Sequence, residues 1–153
     1  MFKSLGKYAD TAPLILRLGL GTTMVLAHGL PKVLEGPEGW AGTGRAMAAL
    51  GVTFAPTFWG AFACFGELIG GILLIVGLFV RPTAVFLTSI LFVAAAQNVV
   101  NAGSLRGGRA HPIDAGAGLV ALAVLGAGKW SLDRKLGLEG TNKTSDVARH
   151  QTV

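Results

Sequence analysis

The sequence is poor in most of what a soluble enzyme uses. Of its 153 residues only 14% are charged, three are histidine and one is cysteine. The lone Cys64 excludes an intrachain disulfide and any cysteine-based metal set. It lies inside an apolar run and reads as a small packing residue. His28, His111 and His150 are too scattered to ligate haem or zinc, so no metal site is expected. There is no Walker A loop and no GxSxG turn, and Gly19-Leu20-Gly21 lacks the third glycine of a dinucleotide loop. No covalently bound cofactor is expected; any redox group would belong to a partner or be a diffusible quinone. The formal charge of +5 and isoelectric point near 9.9 do not imply nucleic acid, because the basic residues flank apolar runs instead of interleaving with aromatics. Membrane lipid with anionic headgroups explains them better.

What the chain has in plenty is apolar length. It is 52% hydrophobic, with a mean hydropathy of +0.59 and 23 glycines, a composition suited to close-packed membrane helices. Thr57 to Phe79 runs for 23 residues with no Pro, Lys or Arg and a single charge, Glu67, near its centre. A helix of that length is about 34 Å long, enough for a hydrocarbon core of about 30 Å. An acid at mid-bilayer costs ~2.5–3.5 kcal/mol, so Glu67 must face protein or water. It therefore demands companion helices.

Three further spans are expected, at about 13–32, 83–101 and 112–128. The short link Val80-Arg81-Pro82 makes spans two and three an antiparallel hairpin. A signal peptide is the competing reading of the first span. Arg17 and His28 interrupt it, and neither a cleavage site nor an end to the apolar runs follows. Residues 1–12 form a short polar start, and 137–153 a polar tail expected to be disordered. The sequon at Asn142 falls on the expected cytoplasmic side and carries no weight. For residues 35–56, punctuated by Gly and Pro, a short helix over Gly42–Leu50, a re-entrant segment and a plain loop all remain open. Eight basic residues flank the spans on the side of the termini, against four on the other side. The expected fold is thus an all-α integral membrane four-helix bundle with both termini cytoplasmic.

Arg17, Gly21, Met24, His28 and Lys32 recur at spacings of four, three, four and four, one face of the first helix. Gln97 and Asn101 share a face at the end of the third span, and Asp114 opens the fourth. With Glu67 these residues form one expected polar group. In one reading they are interhelical ties, Arg17 with Glu67 and His28 with Asp114. In the other they line a cavity for the polar head of a lipophilic molecule. There His28 and Glu67 relay protons, Arg17 holds Glu67 ionised, and Lys32, Gln97, Asn101 and Asp114 bind.

Three stretches, Pro13–Gly36, Gly66–Arg81 and Gly126–Asp133, carry a likeness to known proteins. The Arg of the first helix, the His-Gly-x-x-Lys at its end, the Glu-Leu-x-Gly-Gly of the second and the closing Trp-Ser-Leu-Asp resemble the DoxX family in type and order. The likeness covers roughly residues 10–136. It implies a small four-helix protein of the bacterial inner membrane. It also implies association with quinone-linked redox systems, in oxidative stress or sulfur-compound oxidation, and a partner that is a peripheral or membrane redox enzyme subunit. Arg17, His28, Lys32 and Glu67 are the family's polar positions, and the resemblance assigns no reaction to them. A non-catalytic scaffold, or a transporter of a small lipophilic molecule, is the alternative, and a homo-oligomer is left open.

Overall fold

Five of the six prolines, all but Pro31, stand in the first turn of a helix, where the missing N–H costs no intrahelical bond, and they mark most of the fold's joints. The computed structural model describes residues 11–102 and 110–138. Every regular element among the described residues is helical. Most of the polar start, the stretch with Arg106 and Arg109, and the part of the tail with the sequon lie outside them.

The first span, Ala12–Leu34, is one continuous rod of three pieces. These are α1 (Ala12–Thr23), a π-helical turn (Met24–Gly29) and α2 (Leu30–Leu34). Pro31 explains the middle piece. Inside a span it has no N–H to donate and crowds the preceding turn, and the helix widens just before it, with Leu30 N donating to Val25 O five residues back. Gly36, at a φ of 70°, then lets the chain bend into α3 (Gly36–Gly44), which runs on as a 3₁₀ turn over Arg45–Leu50. Most of the segment left open by the sequence, residues 36–50, is therefore helical, starting six residues before the expected short helix, and 51–55 are a non-helical link. Leu50 is exposed at its end.

After Ala55 come α4 (Pro56–Val76) and α5 (Val80–Ala102). Gly77, left-handed at φ 75°, stops α4 three residues short of the apolar run's end. α6 (His111–Leu125) and a single turn, α7 (Leu132–Lys135), complete the described elements. Among the described residues three helices are long and apolar enough to cross a membrane: Ala12–Leu34, Pro56–Val76 and Val80–Asn101. α6 is apolar but, at 15 residues, only about 22 Å long.

Residues 12–50 lie antiparallel along the whole of α4. Glycine makes this approach possible at two levels. A Cβ on Gly21 would fall 2.8 Å from Gly71 O, and one on Gly71 would fall 2.8 Å from Gly21 O. At the other end, added Cβ atoms on Gly44 and Gly60 would collide with Pro56 O and Trp40 O. The glycines on either side of Glu67, Gly66 and Gly70, serve the opposite neighbour, packing on Phe86 and Leu87 of α5. Met24, Leu74, Leu87, Leu119 and Leu122 fill the core where α1, α4, α5 and α6 meet. The outer surface carries Ile15, Phe58, Phe62, Phe92 and Val124, more than half exposed, while Arg17, Glu67 and Asp133 are buried. Apolar outside and charged inside is the arrangement lipid selects.

Candidate functional site

Two polar centres lie inside the protein, at different depths. The first is at the turn between α4 and α5. Arg17, 1% exposed, donates from Nη1 to Ala127 O and from Nη2 to Trp130 O, both at 2.7 Å. The Asp133 carboxylate, also buried, accepts from Phe79 N at 2.7 Å and Val80 N at 2.9 Å, while Asp133 N donates to Gly77 O. This caps the N-terminus of α5, where backbone donors are otherwise unpaired and the helix dipole favours an anion. It also holds Phe79 at a φ of 50°, a conformation that costs an ordinary residue ~1–2 kcal/mol. Ser131 Oγ in turn accepts from Arg134 N and donates to Gly128 O. Both charges act on backbone groups, and together they fasten the turn and the residues after α6 to the first helix.

The second centre is on the cavity side of α4. Lys32 Nζ donates to both oxygens of Glu67, at 2.9 and 2.7 Å. The Glu67 side chain is 3% exposed and that of Lys32 29%. Trp40 Nε1 donates to Lys32 O and Val33 O, fixing α3 over the end of the first span. Beside the pair is a cavity of about 390 Å³, within the usual range for small-molecule sites. Thr43 and Met47 close it from the α3 side, Trp59, Phe62 and Glu67 from α4, and Gln97 from α5. Its wall is mostly apolar, with Lys32, Glu67 and a few neutral polar groups as the exception.

The expected polar group is therefore divided. Lys32, Glu67 and Gln97 come together at the cavity. His28 is half-buried in the π-helical turn, within electrostatic reach of Glu67 and Lys32, and its ring centroid lies 5.1 Å from that of His111. The expected tie to Asp114 is not formed, because Asp114 is exposed in the first turn of α6 and His111 takes the place beside His28. Asn101 is exposed at the end of α5. Arg17 does not reach Glu67. It packs beside Gly77, ten residues further along α4 and so about 15 Å away, and Lys32 takes the carboxylate instead.

The sequence reading did not single out Trp59, Thr43 and Met47 as lining, nor Asp133 as a cap. Helical spacing alone would have put Trp59, Phe62, Ala63 and Glu67 on one face of α4. The rest depends on α3 folding back over that face. Among the described residues no group of three or more His, Cys, Asp or Glu is placed to hold a metal.

The sequence model of the family described as DoxX matches residues 12–101. The match includes both halves of the Lys32–Glu67 pair and every residue lining the cavity, and ends before Ala127, Trp130 and Asp133. No curated protein and no solved structure matches the chain.

Proposed function

The chain belongs to the DoxX family, and from that premise we propose a four-span protein of the bacterial inner membrane, with both termini cytoplasmic, that serves as a subunit or accessory of a membrane redox system. Its cavity holds the head of a quinone-type lipophilic molecule. The observation that carries the reading is the Lys32–Glu67 pair on the wall of an otherwise apolar cavity of about 390 Å³. An ammonium in lipid needs a counter-charge. Glu67 supplies it, so the site as a whole is neutral and suits an uncharged, hydrogen-bond-accepting head.

The residues present fit such a head. Lys32 Nζ has three protons, two of them directed at Glu67, and the third is available to an acceptor in the cavity. Gln97 offers an amide, and Phe62 and Met47 offer apolar surface to a ring. A quinone head supplies coupled electron and proton transfer when bound. Lys32 and Glu67 hold the exchangeable protons, and His28, within their field, links them to the polar end of the bundle. The electrons come from a partner enzyme. The test is to titrate the purified protein in detergent with a short-tailed quinone. Saturable binding that weakens at least tenfold in Glu67→Gln is expected, and absence of saturable binding overturns the reading.

A second reading is a scaffold, or a carrier of a small lipophilic molecule. It is favoured by an almost entirely apolar groove of about 420 Å³ between α4 and α5, bordered by Phe58, Phe62, Phe65, Ile69 and Phe86 and open to the outer surface. Co-purification separates the two. A scaffold retains its partner in Glu67→Gln with no loss of the partner's activity, whereas a redox site loses that activity.

A further inference from the structure

The exposed charges are unevenly placed. Among the described residues the exposed acids are Glu35, Glu38 and Asp114, all toward the end of the bundle where the first span finishes and α6 begins. The opposite end exposes Arg81, Lys129, Arg134 and Lys135, and no acid among the described residues. Asp133, which lies in that region, is buried with its carboxylate committed to Phe79 N and Val80 N.

Hydrogen bonds bring these four bases, from three parts of the chain, to one place. Val80 N lies 2.9 Å from Asp133 Oδ2, so Arg81 and Arg134, the next residue of each, start from adjacent backbone. Lys129 stands between Ala127 and Trp130, whose carbonyls are both bound by Arg17. Arg81 Nη1 donates to Ala123 O at 3.1 Å, which holds the guanidinium beside the last turn of α6. One N–H of the Arg81 fork is thus spent on a carbonyl, and the rest of the fork suits a phosphate.

Apolar surface is interleaved with this charge. Phe79, Trp130, Leu136 and Leu138 are each more than half exposed beside it. An acidic protein surface would leave those side chains unmatched. A lipid surface takes both, since acyl chains cover the apolar groups while anionic headgroups meet the bases.

We propose that this end of the bundle is a docking surface for anionic phospholipid, with Arg81 as the principal phosphate contact and Lys129, Arg134 and Lys135 completing a basic collar around it. The inference goes beyond the cavity reading and does not depend on what the cavity holds.

The test follows the Arg81 Nε–H resonance of the full-length protein in micelles of an uncharged detergent. Short-chain phosphatidylglycerol is titrated in one arm, short-chain phosphatidylcholine in a second and free glycerol 3-phosphate in a third. Phosphatidylglycerol is expected to move the resonance saturably, with half-saturation at least about fivefold below that of phosphatidylcholine, the worth of one base at a membrane surface. Added salt is expected to weaken the effect, and glycerol 3-phosphate to have none at the same concentration. Arg134→Gln and Lys135→Gln, both exposed, are each expected to raise the half-saturation point by about fivefold. Arg45→Gln, exposed at the opposite end, is expected to leave it unchanged. A resonance unmoved by phosphatidylglycerol, the result an acidic protein partner would give, overturns the proposal. So does an equal response to phosphatidylcholine or to glycerol 3-phosphate, or a loss in Arg45→Gln as large as in Lys135→Gln. None of these outcomes bears on quinone binding, which the titration of Glu67→Gln decides.

Discussion

The two buried polar centres use similar residues for different ends. At the α4–α5 turn, Arg17 and Asp133 are bound to backbone groups of a turn and a helix terminus, and the neighbouring space is filled by Gly77 and Ser131. On the cavity side, Lys32 and Glu67 are bound to each other, with open volume beside them and one ammonium proton to spare. A charge that satisfies backbone is a fastener, because removing it strands main-chain groups that have nowhere else to turn. A charge that satisfies only another side chain, next to a space, is poised to exchange partners. Burial alone does not distinguish the two: Arg17 is 1% exposed and Glu67 2%.

The comparison can be broken most directly at the fastener. Arg17→Met and Asp133→Ala should each cost about 3 kcal/mol of stability in reversible unfolding from mixed micelles, since each strands one buried and one part-buried backbone partner. The variants that remain folded should keep ligand affinity within about twofold. A large loss of affinity with little loss of stability would invert the roles of the two centres.

Next in size is the pair itself. Glu67→Gln or Lys32→Met alone should cost about 2 kcal/mol, because each leaves one polar partner unmatched in a dry setting. The double variant should be more stable than either single one, since removing both charges removes the desolvation problem as well. Ligand affinity should be lost in all three. Additive destabilisation in the double variant would mean that the pair is a tie and no more.

Gly71→Ala should cost about 1–2 kcal/mol by forcing α1 and α4 apart where they now touch through backbone. Because Gly71 lies between the two centres, this change should lower stability without a selective effect on binding, as the same unfolding and titration assays would reveal. The smallest effects are expected at residues whose side chains point away from both centres. Trp130 contributes its carbonyl to Arg17 while the residue is 68% exposed, so Trp130→Ala should shift stability by less than about 0.5 kcal/mol. Asp114→Asn and Asn101→Ala, exposed beyond the cavity, should leave ligand titrations unchanged.

Much of this was legible beforehand because lipid imposes a simple rule on sequence. Glu67 in the middle of 23 apolar residues had to face protein, and it does. The Arg17–Lys32 stripe had to lie inward, and Arg17, Gly21 and Met24 are buried. What could not be read was which end of the stripe meets the acid. Charge type alone allows either Arg17 or Lys32 to pair with Glu67; the expectation was Arg17, and the antiparallel register of α1 on α4 selects Lys32. The π-helical turn at Met24–Gly29 was hidden for a related reason. Pro31 suits a helix start as well as a widened turn, and the apolar periodicity barely changes across it. The folding of residues 36–50 over α4 left only a weak signal in glycine spacing, because Gly44 and Gly60 are far apart in sequence and matter only together.

By itself, then, the sequence determined a helical membrane protein with its few charges turned inward, since hydropathy and the cost of a charge in lipid act on each segment separately. Tertiary structure alone decided which charges became fasteners and which were left beside a cavity. That choice depends on register and on the approach of distant backbones, and neither is written in any one segment.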